Sequence, residues 1–127
     1  MSGLFSPGPF KAKKSVEIFR EAFFKNPVGI CILTHPDFRI KIVNESFAEV
    51  FGLEKSGISG KLFTAVWKKD PLRDEFFSLM REKGLVKNFK LCLFSPSGKG
   101  ELQILLSSAF IDDENIIISA VNAENSG

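Results

Sequence analysis

Tyrosine is absent from this sequence, histidine occurs once and cysteine twice. No apolar run approaches the length of about 18 residues that a membrane-spanning helix needs. With His35 alone, a histidine-centred metal site is excluded, and a hydrolytic triad would have only that imidazole to use. Because Pro36 and Asp37 follow it in a turn-forming run, His35 reads as an exposed turn residue. Neither Cys31 nor Cys92 has a second thiol or a histidine at ligand spacing, which excludes a metal knuckle and a disulfide framework. Both read as small buried apolar residues. Charge of one sign is missing too: 17 Lys and Arg stand against 15 Asp and Glu, for a net charge of +2. The basic residues are scattered apart from Lys11, Lys13 and Lys14, whereas nucleic-acid binding needs a basic face with interleaved aromatics, so no nucleic-acid partner is expected. The opening "MSGLFSPGPFKAKK" lacks the apolar core of a signal peptide, and a cytoplasmic location is expected.

What is present is apolar bulk. Fourteen phenylalanines and 44% hydrophobic residues in 127 positions suffice for one compact domain with a sizeable core. Residues 1–14 carry Gly3, Pro7, Gly8 and Pro9 without a period and read as a flexible lead-in. The domain proper spans 15–122, followed by a short tail, 123–127. Ser15 is placed to cap a helix whose Val16, Phe19 and Phe23 fall on one stripe, ended by Asn26 and Pro27. "GICILT" (29–34) and "FRIKIV" (38–43) form a hairpin, the second strand with Phe38, Ile40 and Ile42 on one face. At Asn44 the strand gives way to a helix, because the asparagine side chain accepts from a free amide of the first turn. Phe47, Val50 and Phe51 supply that helix's apolar stripe, and Gly52 its left-handed exit.

Glycine and serine interrupt residues 54–70, which predicts short helical turns over the core. Asp70 and Pro71 then open a longer helix with Leu72, Phe76, Leu79 and Met80 on its stripe, stopped by Gly84. Three strand-like runs follow, at 86–94, 101–111 and 116–121, joined by turn-rich connectors into an antiparallel meander. Glu45 with Glu49 and Asp74 with Glu75 read as solvated helix surface beside Lys or Arg neighbours, not as general acid and base, and no enzymatic activity is expected.

This order of elements, with "NPVGICILT", "IVNESFAEVFGL", "SGISGKLF" and "SPSGK" at the junctions, resembles the PAS domain family from about Val16 to Val121. The resemblance implies an α+β fold. A five-stranded antiparallel sheet in the order 2-1-5-4-3 would have the middle helices on one face and an N-terminal helix on or near the other. Family flavin photosensors carry a reactive cysteine just after a step that resembles Gly60-Lys61, and this sequence has Leu62 and Phe63 there. Family haem sensors commonly place a histidine on the long helix, and "PLRDEFFSLMREK" has none. A flavin-cysteine photoadduct and a histidine-ligated haem are both disfavoured, leaving the cofactor unknown. Of the coupling step that ends many members, at most Glu124 is kept. No output domain such as a histidine kinase or cyclase is expected within these 127 residues, which leaves a piece of a larger sensor and a free-standing domain both open.

Strand periodicity divides 101–111 into two largely apolar rows, so both faces of the sheet need cover. The resemblance turns Gln103, Leu105 and Ser107 toward a cavity, with Leu91, Leu93, Ile117 and Ser119, and Phe76 and Met80 facing them from the helix. Leu102, Ile104, Leu106 and Phe110 then form the outer row, covered by Val16, Phe19 and Phe23 of the first helix and by a second copy in a homodimer. The expected function is a sensory module of a two-component or similar signal-transduction protein, holding a small molecule in an apolar cavity and relaying its state through dimer contacts. The alternative is a ligand-free dimerisation module whose cavity is packed by its own side chains. Trp67 reads as part of that packing rather than as a stacking platform for a flavin or purine.

Overall fold

The structure, a computed structural model, describes residues 9–68, 70–94, 98 and 100–123, of which 9–14 are described by backbone alone. Helix α1 (Pro9–Phe24) leads into strands β1 (Gly29–Thr34) and β2 (Ile40–Val43). Short helices α2 (Glu45–Val50) and α3 (Lys55–Ile58) and a 3-10 turn (Phe63–Ala65) follow, then α4 (Pro71–Lys83). Strands β3 (Leu85–Phe94), β4 (Glu101–Asp112) and β5 (Asn115–Asn122) complete a single antiparallel sheet in the order β2-β1-β5-β4-β3.

The junctions form for the reasons the sequence suggests. Asn44 Oδ1 accepts from Phe47 N at 2.9 Å and starts α2. Asp70 does the same for α4 through Arg73 N, with Pro71 at the first helical position. Gly84 closes α4 at a φ of 71°, a conformation that costs a residue without Cβ little. Buried Asn44 also gathers three separate stretches of chain. Its Nδ2 donates to Phe23 O and Val28 O, and its Oδ1 takes a second hydrogen bond from Ile30 N. Gly29 lies so close to α2 that an added Cβ would stand 2.6 Å from Phe47 Cα.

Helix α1 starts at Pro9 rather than after Ser15, since Pro9 is already set for a first helical turn. The rest of the lead-in, residues 1–8, and the tail beyond Ala123, Glu124 included, lie outside the described residues, as does most of the "SPSGK" connector. In β2 the strict alternation fails. A register shift between Ile32 and Leu33 turns Ile40 and Val43 inward and leaves Ile42, opposite Ile32, on the other face. Phe38 adopts a positive φ outside the strand and stacks on Phe77. On α4, Phe77 replaces Leu72 in the buried stripe with Phe76 and Met80, and Leu72 is exposed.

The sheet's two rows are the reverse of the expected assignment. Leu91 pairs with Ile104 and Phe89 with Leu106, and directly paired residues share a face. Since the Phe89 ring packs against Trp67 and Phe76 of the helical layer, the whole row Leu102, Ile104, Leu106, Ser108 and Phe110 faces the helices. Ser108 Oγ confirms the direction by donating to Met80 Sδ at 2.8 Å. Ile104 and Leu106 are therefore core, not a dimer surface. Gln103, Leu105, Ser107, Ile117 and Ser119 lie on the opposite, outer face. The edge at β2 is partly closed by the following segment: Ile40 N donates to Lys61 O, Gly60 N to Ile40 O, and Phe63 N to Phe38 O. The other edge, β3, has no neighbouring strand among the described residues.

Candidate functional site

Between the sheet and helices α2, α3 and α4, the interior is filled by large side chains. Trp67, Phe76, Phe77, Phe89 and Phe63 form a continuous aromatic cluster, with ring centroids 5.3 to 6.4 Å apart in tilted and edge-on pairs. Phe76, Met80 and Leu91, expected as cavity lining, are buried within or beside this cluster. The indole N–H of Trp67, which apolar packing would strand, donates to Asp70 Oδ2 at 2.8 Å, and Arg73 Nη1 donates to Trp67 O. Among the described residues, no buried side-chain nitrogen or oxygen lacks a hydrogen-bond partner. The middle of the interior thus offers no free polar handle to a guest.

Space survives at the margins of this layer, a smaller pocket of about 190 Å³ beside Phe38, Phe63, Phe77, Arg73 and Arg81 and a larger one at the opposite end. The larger, of about 380 Å³, opens between the exit of α2, the segment before α4 and the ends of β3 and β4. Phe51, Leu53, Val66, Trp67, Leu93 and Leu102 form its walls, with Lys68 and Asp70 also lining it. Of the cavity residues expected from sequence, only Leu93 lines it. Phe51, Leu53 and Val66 were not singled out as lining because the broken segment after Asn44 has no period to show which side chains point inward. One signal was legible: Asp70 sits three residues after a buried Trp67 that needs an acceptor.

The remaining expected site residues share the outer face. Ser107, Ile117 and Ser119 line a shallow groove of about 340 Å³ with Leu85, Asn88 and Ala109, where Ser107 Oγ accepts from Asn88 N at the β3 bulge. Leu105 is half-buried on the same face, and Gln103 Nε2 lies 3.4 Å from Cys92 Sγ. Cys92 is exposed here, contrary to the buried reading, because the β3 alternation that buries Leu91 turns its neighbour outward. Its thiol hydrogen bonds to Glu101, which raises its pKa. Cys31 is buried on the inner face of β1, where burial pushes the thiol up to about 12. The two are free thiols on strands three sheet steps apart, in keeping with the expectation that they do not pair. His35 sits in the β1–β2 turn, half-buried and edge-on to Phe110 at 5.2 Å.

Solved structures repeat this architecture. An RNA-binding Light-Oxygen-Voltage receptor matches 93% of this chain with a TM-score of 0.73 at 16% identity. A PAS domain from a two-component sensor histidine kinase matches 87% with a TM-score of 0.69 at 12% identity and is itself covered over 98% of its length. This chain is a PAS-fold domain. The PAS domain of a LuxR-family transcriptional regulator from Burkholderia thailandensis, described in complex with ethanol, is 16% identical, with a TM-score of 0.62 over 86% of this chain and 98% of its own. The PAS-fold chain spans 36% of the Light-Oxygen-Voltage receptor's length. No protein-family profile matches the sequence, and no curated protein does.

Proposed function

We propose that this PAS-fold domain is a signal-transduction module that works through contacts between chains, with a packed interior and an outer sheet face that pairs with a second copy. The observation that carries the reading is the contrast between the two apolar rows of the sheet. The inner row is sealed by the aromatic cluster, whereas among the described residues no layer lies over Ile30, Ile32, Leu105, Ile117 and Val121 on the outer side. Helix α1 borders this face beside β2 without covering it. Apolar surface of this kind is withdrawn from water at about 25 cal/mol per Å², which favours self-association. The dimer would pass its state to an output domain such as a histidine kinase or cyclase, as part of a cytoplasmic, non-enzymatic sensor. Sedimentation of the wild type should give a dimer, and Leu105→Glu a folded monomer. A wild type that stays monomeric at high concentration overturns the reading.

A second reading is favoured by the end pocket. Its volume lies within the range of about 300–1,000 Å³ found for small-molecule sites, and its walls suit a small apolar guest. Leu102→Trp should fill it. If a guest is bound, mass spectrometry of the denatured wild type releases it and the variant yields none. A flavin photoadduct or a haem is not expected. The thiols stand on β1 and β3 of the sheet, and the single imidazole lies in the β1–β2 turn.

A further inference from the structure

A groove of about 660 Å³ runs between α1, β2 and α3, apart from the outer-face groove and from the end pocket. Val16, Phe19, Phe23 and Ile42 give it an apolar floor. Three cations stand along it. Arg20 and Lys55 both lie over the Phe24 ring, at 5.6 and 4.6 Å from its centroid, and Lys41 Nζ donates to Asn115 Oδ1 at 3.3 Å. None of the three forms an ion pair within contact distance among the described residues, whose two ion pairs are Lys25–Glu21 and Arg39–Asp37. Asp112, whose carboxyl the Glu114 amide chiefly holds below the usual range, nonetheless has Lys41 near enough to help. No carboxylate lines this groove, whereas Glu45, Glu49 and Glu54 line the adjacent one that shares Lys55.

We propose that this groove docks an acidic amphipathic helix of another protein. The chemistry of the walls selects that occupant. An apolar stripe flanked by carboxylates would cover the phenylalanines and answer Arg20 and Lys55, which stand together over the Phe24 ring. A second copy of α1 answers them poorly, since residues 9–24 carry Lys11, Lys13, Lys14 and Arg20 against Glu17 and Glu21. A flat anionic lipid surface fits less well than a rod of about 10–12 Å diameter, because the groove is walled on one side by α1 and on the other by β2 and α3.

Fluorescence anisotropy of the full chain with a labelled synthetic helix tests this, the helix bearing leucines at i, i+3, i+4 and i+7 spacing and glutamates elsewhere. Binding should be saturable and weaken as salt rises. Arg20→Glu, Lys55→Glu and Phe19→Ser should each weaken it by about tenfold or more, with circular dichroism unchanged. Leu105→Glu, which tests the dimer face, should leave it unaltered, so the two proposals fail separately. The proposal is overturned if the glutamate helix does not bind or binds no better than its lysine counterpart. It is also overturned if the charge reversals have no effect, or if the chain prefers phosphatidylserine vesicles to the helix.

Discussion

Ile104, Leu106 and Ile118 on one side of the central strands are essentially sealed from water, while Leu105 and Ile117, their sequence neighbours, are half-buried on the other side and Val121 is more open still. Both sides are largely apolar, although the outer one also carries Gln103, Ser107 and Ser119. Their main difference lies in what sits above them, aromatic helical packing on one and, among the described residues, no layer on the other. A strand with two apolar rows states only that both will be covered, and the covering element decides which row becomes core.

The sharpest way to test this contrast is truncation on both sides. Phe76→Ala, under the helices, should destabilise the domain by about 3–5 kcal/mol, whereas Leu105→Ala should change the monomer's stability by about 0.5 kcal/mol or less. Urea unfolding below the dimerisation concentration reads both, and equal effects would erase the distinction. Asn44→Ala should cost about 2–4 kcal/mol, since it removes a helix cap and strands amides and carbonyls from α1, β1 and α2 around a buried site. Hydrogen exchange should show the loss concentrated at the end of α1 and the start of β1. Gly29→Ala should cost about 1–3 kcal/mol, because the contact it forces is with Phe47 backbone, which has little freedom to move aside.

The two cysteines report the same contrast with the smallest perturbation. Iodoacetamide at pH 8 should label Cys92 on the outer face and leave Cys31 unlabelled until the protein unfolds. A thiol raised in the folded state supports stability below its unfolded pKa and loses that support as pH rises through the folded value. Stability should therefore decline from about pH 9 toward 12, less steeply in Cys31→Ala. Modification of Cys31 in the native protein would place it outside the core.

Element boundaries were largely legible because local chemistry sets them: the side-chain oxygens of Asn44 and Asp70 and the left-handed glycine at 84 each satisfy a backbone need within a few residues. The facing of β4 was not legible in that way. Gln103 and Ser107 resemble polar guests of a cavity, yet their row is set by the partner of Leu91, in a register that runs unbroken from Phe89–Leu106 to Phe94–Glu101 and that the sequence does not display. Phe77 displaced Leu72 for a similar reason: a helix of this length allows either stripe, and stacking with Phe38 selects one. The end pocket was hidden because its walls come from stretches far apart in the chain, α2's exit, the segment before α4 and the β3–β4 ends, and no local period shows that they meet.

One unequal feature of the sheet sets a limit on how copies of this chain can polymerise. Its β2 margin is partly occupied by backbone from residues 60–63, whereas β3 presents a ten-residue margin interrupted by the Asn88 bulge and flanked by Lys87 and Lys90. Among the described residues β3 is the more open margin, so strand-to-strand joining between two molecules is favoured from the β3 side. Such a union consumes both open margins at once and leaves the occupied ones at its ends, so it closes as a pair instead of growing into a fibre.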